Sequence, residues 1–133
     1  MFKFLEHTAD MKFQSYGKTL NGAFENAGLA LKETIAPGLK IRKKIEVGGK
    51  DYEALLYSFL EKFLFLLDSE NFLLSKIKVK TKDNKLEAKI TGDKASNYKF
   101  TNNVKAVTYN QMFVKKIKNK EKYKWVCQVV LDV

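Results

Sequence analysis

Two aspartates and the only histidine lie near the two ends of this chain. His7 and Asp10 belong to a short polar step between two stretches that alternate as strands do. Asp132 follows an apolar stretch and Val133 ends the sequence, so we expect a terminal carboxylate beside the Asp132 side chain. Three converging carboxyl groups repel one another unless a cation joins them. Oxygen ligands of this kind suit Ca²⁺, Mg²⁺ or Mn²⁺ rather than Zn²⁺.

This cation site requires the first and last strands to bring the chain ends together. Spacing alone leaves a second interpretation open, because aspartates at strand ends commonly cap turns. A lone histidine such as His7 can likewise be a hydrogen-bonded structural residue instead of a ligand. The residues by themselves do not decide between these interpretations.

Signatures of other catalytic chemistry are missing from the sequence. A single histidine excludes an HExxH zinc site, and neither a GxGxxG nor a GxxxxGK[ST] phosphate-binding loop occurs. Cys127 is the only cysteine and lies in an apolar run, which predicts a buried core thiol and excludes an intrachain disulfide. Nothing in the sequence therefore supports a free-standing enzyme.

Length and composition predict one soluble folded domain over residues 1–133. Hydrophobic residues make up 45% of the chain and charged residues 30%, a balance typical of globular proteins. The first ten residues lack the apolar core of a signal peptide, and charged residues interrupt the longest apolar stretch, 54–67. We expect a cytoplasmic protein that does not enter a membrane.

The charge of the chain is strongly basic and comes almost entirely from lysine. The formal net charge is +10, and Arg42 is the only arginine among 25 basic residues. Lysine suits phosphate groups but lacks the bidentate fork that reads bases. Six lysines should share the solvent side of one hairpin: Lys76, Lys78, Lys80, Lys82, Lys85 and Lys89. A solvated sheet face is the simpler interpretation, and tRNA binding is the alternative.

Local patterns predict two helices and about seven strands. Helical spacing follows Thr19, a favourable N-cap, up to Pro37-Gly38, and a second apolar helix begins at Asp51 and stops at 68–71. Lysines alternate with β-branched residues over 75–82, a tight turn follows at Asp83-Asn84, and 85–90 alternates back. Further strands are predicted at 2–6, 11–16, 41–47, 104–109, 112–117 and 123–131, with an irregular loop over 93–103. We predict an α+β domain of two layers, with a mostly antiparallel sheet against both helices.

Taken together, several segments resemble the archease family. They match it in order over essentially the whole chain: His7-Thr8-Ala9-Asp10, the stretches 16–20 and 23–27, the helix start at 51–56, the internal motif 104–109, and the ending Val129-Val130-Leu131-Asp132-Val133.

The resemblance implies an accessory protein that is not an enzyme. Its expected partner is the RtcB-type tRNA-splicing ligase, whose guanylylation with GTP and repeated turnover archeases promote. A link to tRNA methylation implies a tRNA-modifying enzyme as another partner. The family also implies a divalent cation, usually calcium, on Asp10, Asp132 and the terminal carboxylate of Val133. His7 and Lys105 are expected to lie near the partner or behind the metal ligands.

Two departures from the family pattern concern histidines. The motif 105–109 is often followed by histidine and is followed here by Asn110, and the loop 92–103 contains no histidine. Any role of those histidines toward the partner is missing or moved in this chain. Two other functions stay open, namely plain tRNA binding through the lysines and a chaperone-like protection of tRNA-modifying enzymes.

Overall fold

Two helices and seven strands form the protein in the computed structural model, which describes residues 1–7, 10–35 and 41–133. The helices are α1 (Leu20–Ile35) and α2 (Tyr52–Glu70). The strands are β1 (Phe2–Leu5), β2 (Met11–Gly17), β3 (Ile41–Gly48), β4 (Phe72–Lys82), β5 (Lys85–Lys94), β6 (Ala106–Asn119) and β7 (Lys122–Asp132). A short 3₁₀ turn at Ala95–Asn97 follows β5.

The strands form two antiparallel sheets. The first has the order β1-β2-β7-β6 and the second the order β3-β5-β4. The prediction of an α+β fold with two helices and about seven mostly antiparallel strands is confirmed, but the strands divide into two sheets and do not form one. Within the second sheet, pairing Ile45 with Ala88 and Val47 with Leu86 joins the apolar faces of β3 and β5.

One hydrophobic core joins both helices to both sheets. α1 packs against β2 and β4, and α2 packs against β6, β4 and β3. The prediction that the second helix is the most buried element is wrong, because five residues of α2 are exposed, whereas Glu33 is the only exposed residue over 20–34 of α1. α2 begins where the Asp51 side chain accepts a hydrogen bond from the Ala54 amide (2.7 Å), and it ends at Asn71 in the left-handed conformation.

Side chains of α1 cover the free edge of β4. The Val79 amide donates to Glu25 (2.6 Å), and the Thr81 amide donates to Asn21 (2.9 Å). These bonds satisfy main-chain groups that an edge strand otherwise offers to another chain. The predicted N-cap of α1 is confirmed, because the Thr19 hydroxyl accepts a bond from Gly22 (3.0 Å).

A wide bulge interrupts β6 beside β7. Thr108 pairs with Val130 and Phe113 pairs with Gln128, so residues 109–112 stand opposite a single residue of β7. Gln111 in this bulge has φ 55°, in the left-handed region. Its carbonyl accepts a bond from the buried Gln128 side chain (2.7 Å), which holds the bulge over the face of β7 away from the helices.

Several predicted boundaries change. β4 begins at Phe72 and not at Ser75, and β5 runs on to Lys94 because Phe72 and Leu73 pair with residues of the predicted loop. β6 begins at Ala106 and not at Val104. The predicted end of the first helix at Pro37-Gly38 lies outside the described residues.

Candidate metal site at the strand ends

The pairing of β2 with β7 brings the two chain ends together. Met11, the first residue of β2, pairs with Leu131, so Asp10 just before β2 and Asp132 just after Leu131 lie at the same end of this strand pair. Both aspartates are half-buried. The cation site was predicted from a meeting of the first and last strands, but the strand beside β7 is β2 and not β1.

Lys105 contacts the same strand end through its main chain. Its amide donates to the carbonyl of Asp132 (2.8 Å), and Ala106 pairs with Asp132. The Lys105 side chain is exposed. Asp132 is thus fixed by β6 on one side and lies beside the start of β2 on the other.

His7 and Asp10 line one open depression at this end of the sheet, together with Glu6. The Nδ1 atom of His7 is buried and has no hydrogen-bond partner among the described residues. Thr8 and Ala9, the other residues of the polar step, are not described. A buried polar atom without a partner is destabilising, and a ligand or partner group placed here would relieve that cost.

The candidate donor atoms are of the type that binds hard cations. Asp10 and Asp132 offer carboxylate oxygens, the ligands that Ca²⁺ and Mg²⁺ take, whereas a nitrogen ligand such as His7 suits them poorly. Within residues 1–7, 10–35 and 41–133, no three side chains of His, Cys, Asp or Glu are grouped closely enough to hold a metal ion. Any cation here therefore needs main-chain oxygens, such as the carboxylate at Val133, beside the two aspartates.

A polar cluster that the sequence did not predict lies on the same face of the sheet. Gln14 donates to the carbonyl oxygen of the Gln128 side chain (3.0 Å), and the Tyr16 hydroxyl donates to Gln14 (2.7 Å). The Lys12 ammonium donates to the Gln111 side chain (2.9 Å). The available signal was Gln128 itself, a lone amide within the apolar run Val126–Leu131.

Known proteins resemble this chain over nearly its full length. The model of the archease protein family (MTH1598/TM1083) matches residues 2–133. This chain belongs to the archease family. The archease of Pyrococcus furiosus is 41% identical over 138 residues, covering 96% of this chain and 95% of that protein. The archease of Sulfurisphaera tokodaii is 39% identical over 140 residues, covering 99% of this chain and 98% of that protein.

Solved structures of the family share the fold. The solution structure of protein 1598 from Methanobacterium thermoautotrophicum has a TM-score of 0.74 at 29% identity and covers 99% of this chain and 98% of that one. A crystal structure from Thermotoga maritima, described as an archease and possible chaperone, has a TM-score of 0.63 at 20% identity, covering 98% and 96% of the two chains.

The archease motif 104–109 leads into the bulge of β6. The Tyr109 ring stacks on the Tyr57 ring of α2 (4.3 Å between centroids), and a hydrogen bond from Tyr57 to Glu61 raises the pKa of Tyr57. Asn110, identified from the sequence as a departure from the expected pattern, is exposed. The bulge therefore presents Asn110 to solvent, on the strand that pairs with β7 and its Asp132.

The single thiol of this archease is a core residue, as predicted. Cys127 is fully buried on β7, and burial raises its pKa to about 12. A thiol in that state is neither a nucleophile nor a metal ligand at neutral pH.

No helix in the described part of the chain combines the length and the apolar character needed to cross a membrane.

Proposed function

We propose that this archease-family chain is an accessory activator of an RtcB-type tRNA-splicing RNA ligase. It promotes guanylylation of the ligase with GTP, so that the ligase turns over repeatedly. The supporting observation is the pairing of Met11 with Leu131, which places the neighbouring Asp10 and Asp132 at one end of a four-stranded sheet. An acidic tip of this kind suits contact with another protein's metal and nucleotide better than catalysis by this chain alone.

A divalent cation, most simply Ca²⁺, completes the tip in this proposal. Asp10, Asp132 and the carboxylate of Val133 hold it, and Mg²⁺ or Mn²⁺ could replace it because all three ions accept oxygen ligands. When bound, the cation neutralises the repulsion among the carboxylates and makes the tip rigid.

The protein's own residues orient the tip. The Lys105 amide fixes the carbonyl of Asp132, while β2 fixes the residue that follows Asp10. His7 supplies a buried ring nitrogen beside Asp10, available to a hydrogen-bond partner. The tip enters or braces the ligase active site and helps to position the ligase's own metal and GTP. The exposed Lys105 ammonium is available for a contact with the ligase or its nucleotide.

Multiple-turnover RNA ligation by the cognate ligase, with GTP and divalent metal, tests the proposal. We expect the intact protein to raise turnover, and we expect Asp10→Ala and Asp132→Ala to abolish that effect while remaining folded. Asp68→Ala is the matched control, since it removes an exposed carboxylate from the end of α2 and should activate normally. Absence of stimulation by the folded intact protein would refute the proposal.

One further variant separates the metal site from a turn cap. Asparagine caps turns as aspartate does but carries no charge. Asp10→Asn should therefore preserve the turn and still lose calcium binding, measured by calorimetry, together with activation. An Asp10→Asn protein that activates fully would identify Asp10 as a turn residue. Extending the chain by one residue beyond Val133 should also weaken calcium binding, because it removes the carboxylate from that position.

A chaperone-like role is the second candidate, because the Thermotoga maritima structure is described as a possible chaperone. In that role the protein would protect a tRNA-modifying enzyme, such as a tRNA methyltransferase, from aggregation. It predicts suppressed light scattering of the heated enzyme and no stimulation of guanylylation.

A further inference from the structure

The three-stranded sheet has a lysine-covered surface on the side away from the helices. Residues of β3, β4 and β5 alternate, so Ile45, Val79 and Ala88 are buried while their neighbours are exposed. The exposed lysines of this surface, called here the lysine face, are Lys44, Lys76, Lys78, Lys80, Lys82, Lys85 and Lys89. The predicted solvent side of the hairpin is confirmed, and β3 adds Lys44 to it.

Lysines of this face stand directly opposite one another. Lys89 on β5 pairs with Lys44 on β3 and with Lys78 on β4, so three positive charges form one row across the sheet. Lys82 also pairs with Lys85. Like charges at directly opposite positions destabilise a sheet. The fold therefore bears a cost at these positions that a bound polyanion would remove.

Protection of sheet edges does not account for the lysines of the central strand. Lysine on an edge strand discourages edge-to-edge pairing, but Lys85 and Lys89 lie on β5, the central strand. Two acids, Glu46 and Glu87, lie on the same face in a row with Lys80, and both are within 4.0 Å of Lys44. Lys44 lowers the pKa of Glu87 through a hydrogen bond and its charge. Most of the positive charge on the face is left unbalanced.

The shape and the chemistry of the face select the partner. One open groove is lined by Lys44, Lys78 and Lys89. A second groove is lined by Lys80, Lys82 and Lys85 together with the acids Glu46 and Glu87. No large exposed hydrophobic residue of the described chain lies on β3, β4 or β5. A membrane surface or a protein interface would use such anchors, and a single-stranded nucleic acid would use stacking aromatics. The phosphates of a duplex need only positive charge.

The width of the sheet is compatible with an RNA duplex. Three strands at their usual spacing are about 10 Å across, too wide for the minor groove of B-DNA at about 6 Å but not for its major groove at about 12 Å. The minor groove of an A-form RNA helix is wide and shallow, and it is bordered by phosphates. We propose that the lysine face binds the phosphate backbone of duplex RNA across this groove. The choice of RNA also rests on the proposed function, since a ligase partner would bring RNA close to this protein.

Fluorescence anisotropy with a labelled RNA duplex of about 20 base pairs tests this inference in the absence of any ligase. The test variant carries Lys78→Gln, Lys82→Gln, Lys85→Gln and Lys89→Gln. The control variant carries Lys116→Gln, Lys118→Gln, Lys120→Gln and Lys122→Gln at the β6–β7 hairpin, so both lose the same charge. Circular dichroism and thermal unfolding check that both variants fold.

The lysine-face variant should bind the duplex at least about tenfold more weakly than the intact protein near 0.1 M salt. Its slope of log affinity against log salt should be shallower by about 3 to 4, because each lost phosphate contact removes about 0.9. The control variant should keep most of the affinity. Equal losses in the two variants would attribute binding to net charge and overturn the inference.

Three competitors define the partner. A B-form DNA duplex of the same sequence, vesicles of phosphatidylcholine with phosphatidylserine, and polyglutamate should each compete weakly at equal charge. Competition by any of them as strong as that of RNA would overturn the assignment to RNA. Asp10→Ala should bind RNA normally, so failure of RNA binding and failure of ligase activation are distinguishable.

Discussion

The buried thiol of Cys127 should make the protein less stable at alkaline pH. Burial raises its pKa from an ordinary 9.0 to about 12, while the nearby Ser15 hydroxyl acts weakly in the opposite direction. Above about pH 9 the unfolded chain loses this proton and the native state keeps it, so the free energy of unfolding falls as pH rises. Each pH unit between the two values costs about 1.4 kcal/mol, which amounts to about 2 kcal/mol near pH 10.5.

Urea denaturation of the intact protein, Cys127→Ala and Cys127→Ser between about pH 7 and 10.5 measures this contribution. Lysines and tyrosines also titrate in this range, but all three proteins share them. The cavity left by alanine and the hydroxyl buried by serine each change the unfolding free energy by an amount that does not depend on pH. Neither side chain titrates in this range. The difference in unfolding free energy between intact protein and variant should be constant below about pH 8 and fall by about 2 kcal/mol near pH 10.5. A pH-independent difference would show that Cys127 titrates normally in the native state.

Three further predictions concern the stability of single elements and are measured by thermal or urea unfolding. Asp51→Ala should destabilise by about 1 kcal/mol, because it removes the side-chain acceptor at the start of α2. Gly92→Ala should destabilise by about 3 kcal/mol, since its added carbon would overlap the main-chain oxygen of Leu73 on β4. The double variant Lys120→Asn and Glu121→Gly should stabilise by about 1 kcal/mol, because both residues have positive φ in the β6–β7 turn.

Each of these three predictions has a control variant or an outcome that would contradict it. Gly48→Ala should change stability little, because the nearest atom to its added carbon is 3.6 Å away. Equal effects at Gly48 and Gly92 would mean that the close approach to β4 is absent. An Asp51→Asn protein should keep most of the stability that alanine loses, since asparagine also caps helices. A turn variant that is no more stable than the intact protein would argue against the left-handed conformations at Lys120 and Glu121.

Local patterns predicted those parts of the fold that depend on near neighbours in sequence. Alternation over 75–82 and 85–90 identified the β4–β5 hairpin and its buried face, because both strands have one side in the core. Thr19 and Asp51 marked helix starts through bonds to amides within the same turn. The first residues of β4 were missed since Phe72, Leu73 and Leu74 are all buried, so no alternation reveals them.

Local sequence patterns could not predict features that depend on pairing between distant segments of the chain. The strands divide into two sheets because β3 pairs with β5, and no local sequence pattern specifies that pairing. The candidate site was predicted as residue types, but the meeting of Asp10 and Asp132 depends on β2 pairing with β7 from the other end of the chain. The hydrogen bond from the Gln128 side chain to the Gln111 carbonyl depends on the bulge. In the sequence, the bulge corresponded only to a gap between two predicted strands.

The bulge of β6 contains one exposed position at which the side chain can change without altering the rest of the sheet. Its four residues face one residue of β7, so they lie outside the ladder that fixes the rest of the sheet. Tyr109 and Gln111 hold the bulge in place through α2 and β7. Asn110 between them makes no such contact in the described structure and is exposed, so exchanging it leaves the core intact. Selection on partner binding can therefore act on Asn110 almost independently of selection on folding.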